Sequence, residues 1–211
     1  MNNFNTYKKT LNQALEDLNK DILIKFFETL KSTIIEEGNV IICGNGGSFA
    51  NSLHIAGDFH KTFAGYNTAF HAIGENFCSL SAIANDFCYE EAITISLLPL
   101  IKKKVKTVVI FLSGSGNSKN LINAAETLIR RKDFKENKKY LKTLSFSAYG
   151  GGAIHNLVDI PLKIELKDME IAEDIQLIIF HYLKQELLKI FPPNQDNYIK
   201  YNKRVNYGDV I

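Results

Sequence analysis

A chain of 211 residues is long enough for one domain with a sizeable core. Its 25 Lys and Arg against 23 Asp and Glu leave a net charge of +2, which removes the electrostatic case for a nucleic-acid or membrane-surface protein. The three cysteines, Cys43, Cys78 and Cys88, are odd in number and lack zinc-like spacing, so they read as free thiols of a reducing compartment. The opening MNNFNTYKKTLNQALEDL has no signal-peptide apolar run, and no window reaches the roughly 18 apolar residues of a membrane span. The expected location is cytoplasmic.

Residues 4–37 carry helical periodicity. Phe4, Tyr7, Leu11, Ala14 and Leu18 recur at three- and four-residue steps, and Ile22, Ile24, Phe26, Phe27, Leu30, Ile34 and Ile35 continue as a second helix. Such a hairpin packs either on another subunit or on the chain's own sheet. Strands and helices then alternate. NVIICG (39–44) reads as a buried strand, 47–62 as a helix and TAFHAI (68–73) as a strand. Helices follow at 76–85 and 89–101, and KTVVIFLS (106–113) is a strong buried strand. A helix at 117–131, strands TLSFSA (143–148) and DIPLKIE (159–165), and a helix from about Glu170 to Ile190 complete the series. The alternation predicts an α/β protein with a parallel sheet covered on both faces. Outside it lie a charged surface insertion, RRKDFKENKKY (130–140), and an extended tail with paired prolines, 191–211.

Four constellations could carry chemistry. Strand–Gly44-Asn45-Gly46-Gly47-Ser48–helix places a glycine-rich turn at a strand's carboxyl end, where open α/β sheets bind ligands. It is neither a Walker loop nor GxGxxG, and alone it is as readily a tight turn. Strand–Ser113-Gly114-Ser115-Gly116-Asn117-Ser118–helix repeats the arrangement with three hydroxyls, against the plainer reading of an N-cap and a turn. Two such loops in one chain favour a phosphorylated ligand, and the lack of Lys or Arg in both suits a sugar monophosphate. His54-x-x-x-Asp58 puts an imidazole and a carboxylate on one helix face, a pair for metal binding, proton transfer or a surface hydrogen bond. Glu173-Asp174-Ile175-Gln176, with His181 and Lys184 beyond, is read on sequence alone as a solvated first turn. His60, His71 and His155 have no evident partners.

With these residues assembled, the chain resembles the sugar isomerase (SIS) superfamily, and within it the bacterial phosphoheptose isomerases. The likeness rests on Cys43 to Ser48, His54-x-x-x-Asp58, Ala84-Asn85-Asp86-Phe87, Ser113 to Ser118 and Ile175-Gln176, and spans roughly residues 5 to 190. The resemblance implies a three-layer α/β/α sandwich with a five-stranded parallel sheet after an N-terminal helical hairpin. It implies a single domain over 1–211, with helices at 1–37, the core at 38–190 and the tail at 191–211. It also implies a homotetramer with active sites shared between subunits, while the balanced charge speaks against direct nucleic-acid or membrane partners. The implied reaction interconverts sedoheptulose 7-phosphate and D-glycero-D-manno-heptose 7-phosphate, on the way to lipopolysaccharide or capsule. By analogy Ser48, Ser113, Ser115 and Ser118 bind the phosphate, with Gly46, Gly47 and Gly114 completing the loops. Asn45, Asp86, Glu173 and Gln176 contact the sugar. Zinc is often held in the family, which assigns His54, Asp58 and Gln176 as metal ligands here.

The chain also departs from the family pattern. The catalytic glutamate falls on Asp58, one methylene shorter, and the second catalytic and metal-binding histidine on Lys184. The substrate-contacting aspartate falls on Glu173, and Gly114 stands where threonine is common. Asp58 is then the expected base, with His181 or Lys184 as the acid. The alternatives are a non-catalytic phosphosugar-binding protein, such as a scaffold of the kind that partners the replication initiator DnaA, or an enzyme for another phosphosugar. A metal on His54, Asp58 and Gln176 would favour the enzyme. An ion pair between Asp58 and Lys184 would favour the binding protein.

Overall fold

A computed structural model describes residues 3–130, 139–193, 199, 200 and 203. Two helices come first, α1 (Asn3–Glu16) and α2 (Lys20–Ile35), the second capped by Asn19, whose side chain accepts from the Ile22 N–H. Strand β1 (Asn39–Cys43), helix α3 (Gly46–Thr62), strand β2 (Ala69–Ala72), and helices α4 (Phe77–Asp86) and α5 (Tyr89–Leu97) follow. Then come β3 (Thr107–Ser113), α6 (Lys119–Arg130), β4 (Leu141–Ser147), β5 (Ile160–Lys163) and α7 (Met169–Leu188). The five strands form one parallel sheet in the order β2-β1-β3-β4-β5. The apolar periodicity locates each of these elements to within a few residues. The expected helix over 89–101 ends earlier, because Pro99 tightens 98–100 into a 3₁₀ turn.

Strand residues alternate between two cores, as the period of two requires. Val40, Ile42, Val108, Ile110 and Leu112 point to one face and pack with α2, α3 and α7. Ile41, Cys43, Val109 and Phe111 point to the other and pack with α5 and α6. All seven residues of β3 are buried, so the central strand reads as a continuous apolar run. The resulting three layers match the expected fold class.

Of the two packings open to the N-terminal hairpin, α2 takes the chain's own sheet. Phe26, Leu30 and Ile34 lie in the core beneath it, with Phe26 wholly buried. α1 covers less: Ala14 is buried, while Phe4 is exposed. The Tyr7 hydroxyl hydrogen-bonds the Asp174 carboxylate and so ties α1 to α7. That bond to an anionic acceptor pushes the Tyr7 phenol up to about 12.

Most of the 130–140 insertion and of the 191–211 tail lies outside the described residues. Where the tail begins it is docked: Phe191 packs edge-on against Phe63 and Tyr66, and the Tyr66 hydroxyl donates to the Pro192 carbonyl at 2.8 Å. Residues 199, 200 and 203 are helical, where the paired prolines suggest an extended chain. Among the described residues, no helix is long and apolar enough to cross a membrane.

Candidate functional site

The strand order decides where the two loops meet. From β1 the chain steps to β2 on one side, then returns to place β3 on the other. The carboxyl ends of β1 and β3 are therefore neighbours at the topological switch point, the crevice where open α/β sheets bind ligands. The turn Gly44-Asn45 and the first turn of α3, residues 46–48, leave β1 there, and loop 114–118 leaves β3. A reciprocal amide pair locks them: the Asn45 Nδ2 donates to Asn120 Oδ1 at 2.8 Å, and the Asn120 Nδ2 donates to Asn45 Oδ1 at 2.9 Å. The Tyr89 hydroxyl also donates to Asn45 Oδ1, at 2.7 Å.

In the second loop, Ser113 Oγ accepts from the Gly116 N–H at 2.9 Å and Ser115 Oγ from the Asn117 N–H at 3.2 Å. Ser118 occupies the N-cap position, its carbonyl accepting from the Ile122 N–H at 3.0 Å. Gly116 has φ +68°, and a Cβ there would run into the Gly151 carbonyl oxygen, so this turn accepts only glycine. Gly114, where the family pattern carries threonine, is covered by Met169, whose Sδ fills the place a Cβ would take. A side chain at position 114 would require the flexible Met169 thioether to swing aside.

Below the loops, α3 and α7 face each other along a polar seam. Asn51 Nδ2 donates to Gln176 Oε1 and to the Glu173 carbonyl, both at 2.9 Å, and Gln176 Nε2 donates to Ser48 Oγ at 3.2 Å. Gln176 is completely buried. The expectation of a solvated turn at the start of α7 therefore fails for this residue. Asp168 caps that helix instead, accepting from the Ile171 N–H at 3.0 Å. Glu173 lies flat on Gly47, where its carboxylate occupies the space a Cβ would need. Burial raises its pKa, with the Ser48 N–H pulling the other way.

Further along the seam, His54 and His181 approach edge to face, their Nε2 atoms 2.9 Å apart. One ring donates and the other accepts, so at least one is neutral. The His181 pKa is lowered, first by burial and then by the charges of His54 and Lys184. Asp58 is ion-paired with Lys184.

The residues singled out in the sequence thus divide. Asn45, Gly46, Gly47, Ser48, Ser113, Gly114, Ser115 and Ser118 gather at the switch point, with Glu173 and Gln176 beside them. His54, Asp58, His181 and Lys184 form one cluster further down. Asp86, at the end of α4, is exposed and takes a hydrogen bond from the neighbouring Asn85 at 2.9 Å. Of the expected metal ligands, His54 and Asp58 sit with His181, all three offering ligand atoms within 4.8 Å of one another. Gln176 is engaged by Asn51 and Ser48. Two imidazoles and a carboxylate suit a divalent ion by donor type. His71, given no partner from sequence, pairs with Glu75 at 3.1 Å.

Sequence reasoning misses Asn51, Tyr89 and Asn120. Asn51 carries a signal, since it precedes His54 and Asp58 by three and seven residues on one helix face. Asn120 and Tyr89 carry none, because only strand order brings them to Asn45.

The SIS domain family model matches residues 3–132. The phosphoheptose isomerase of Helicobacter pylori is 32% identical over 182 residues, covering 85% of this chain and 89% of that protein. Phosphoheptose isomerase 1 of Campylobacter jejuni is 30% identical over 175 residues, covering 82% of this chain and 88% of that protein. The solved phosphoheptose isomerase of Neisseria gonorrhoeae superposes with a TM-score of 0.72 at 20% identity, covering 86% of this chain and 92% of that one. At that identity the superposition speaks to the fold.

Proposed function

The chain belongs to the SIS domain family, and from that premise we propose that it is a phosphosugar isomerase acting on sedoheptulose 7-phosphate, or a close relative, to give D-glycero-D-manno-heptose 7-phosphate. The observation that carries this reading is the meeting of two glycine- and serine-rich loops at the β1/β3 switch point, joined by the Asn45–Asn120 pair. The relatives of about 30% identity that bear the name phosphoheptose isomerase support it. The phosphate would lie on Ser48, Ser113, Ser115 and Ser118. Asn45, Asp86, Glu173 and Gln176 would turn toward the sugar.

Isomerisation moves a proton from C1 to C2 of the ketose through an enediol. It needs a base, an acid at the carbonyl oxygen and positive charge beside the developing oxyanion. Asp58 would take the C1 proton. His181, lowered toward the neutral imidazole, would exchange protons between the two oxygens, and Lys184 would supply charge. A divalent ion held by His54, Asp58 and His181 in place of Lys184 would supply that positive charge instead. A homotetramer, a cytoplasmic location and a role in lipopolysaccharide or capsule heptose belong to the same proposal.

One observation favours a second reading. The Asp58 carboxylate is already held by Lys184, which suits a protein that binds a phosphosugar without turning it over. Proton NMR in D₂O with sedoheptulose 7-phosphate, with and without zinc, separates the two. Isomerisation predicts deuterium exchange at C1 of the ketose, lost by about 10²–10⁴-fold in Asp58→Asn. Ligand binding without exchange would favour the second reading or an enzyme for another phosphosugar.

A further inference from the structure

The cluster His54, Asp58, His181 and Lys184 holds three residues able to ligate a metal and one that is not. A ligand atom from each of His54, Asp58 and His181 lies within 4.8 Å of the others. Lys184 carries three N–H donors and no lone pair, and it is bound to the one carboxylate of the set. We propose that Lys184 is a resident cation that competes with a divalent metal for Asp58, so that His54, Asp58 and His181 form a metal site whose affinity Lys184 holds down.

Charge sets the competition. An ammonium and a divalent cation on one carboxylate repel each other within a few ångströms, and screening is weak where water is scarce. The Lys184 and Asp58 side chains are only 19% and 23% exposed. The ion enters when Lys184 leaves, and the exposed fraction of a flexible four-carbon stem gives it a route to water. His181 supplies the second imidazole from one turn before Lys184, so the nitrogen donors do not depend on position 184. His54 and His181 already approach at 2.9 Å, a spacing that a shared ion would have only to open slightly. The competition is independent of substrate and turnover, since it concerns metal affinity alone.

The test is calorimetric titration of the full chain with zinc chloride. Lys184→Met keeps the stem and removes the charge. It is expected to bind zinc roughly 10- to 100-fold more tightly than the parent, the range seen when groups around a ligand are altered. Adding Asp58→Asn or His181→Ala should abolish the gain. Lys184→Arg, which keeps the ion pair, should bind no more tightly than the parent. Equal affinities for the parent and Lys184→Met overturn the proposal, as does a gain that survives loss of Asp58 or His181. A measurement on the unaltered chain guards against misfolded variants: saturating zinc should shift the Lys184 ¹⁵Nζ resonance, and an unmoved resonance with zinc bound also overturns it.

Discussion

At the scale of single residues, Glu173 is the informative side chain. It covers Gly47 with the Ser48 N–H nearby, yet burial outweighs the pull of that N–H and raises its pKa. A carboxyl with a raised folded-state value holds its proton more tightly when folded. Its contribution to stability is therefore greatest below the ordinary carboxylate range and is lost as pH rises through the raised value. Glu173→Gln should melt higher than the parent at pH 7, with the difference vanishing below the ordinary carboxylate range. Melting temperature against pH checks this, and a constant difference across the range would mean the effect is steric.

At the scale of elements, the α3–α7 seam holds buried amides whose partners lie on opposite helices. Asn51→Ala would strand the Gln176 carbonyl oxygen, which is fully enclosed. The expected loss is about 1–3 kcal/mol, read as a lower denaturant midpoint at unchanged slope. The elements themselves are legible in the sequence because their apolar periods are strong: VVIFL announces a central strand, and Phe26, Leu30 and Ile34 a helix face. The glycine–serine loops are legible because small residues follow buried strands. The seam is not. Polar residues at helical spacing on one helix look solvated until a second helix with the same spacing is laid against it, and a single sequence does not say which faces meet. The Asp58–Lys184 pair is one of two arrangements the sequence allows, since both positions depart from the family pattern, but choosing between them requires the two side chains in place.

At the scale of the molecule, the two core faces depend on one sheet, and α2 closes the larger of them. Phe26 is fully buried among residues drawn from the sheet and several helices. Phe26→Ala should cost about 3–5 kcal/mol, and urea titration should show one cooperative transition displaced to lower concentration. A second, separate transition would instead mean that the hairpin unfolds on its own.

The Asn45–Asn120 lock also has a consequence in time. Its partners lie 75 residues apart in the chain and meet only when β1 has paired with β3. Closing so long a loop is slow and precedes any reward from the contacts it brings. A nascent chain still lacking β3 has one of the two loops and no partner for Asn45. A ligand that binds only the finished state would therefore act as a latch on the middle of the sheet.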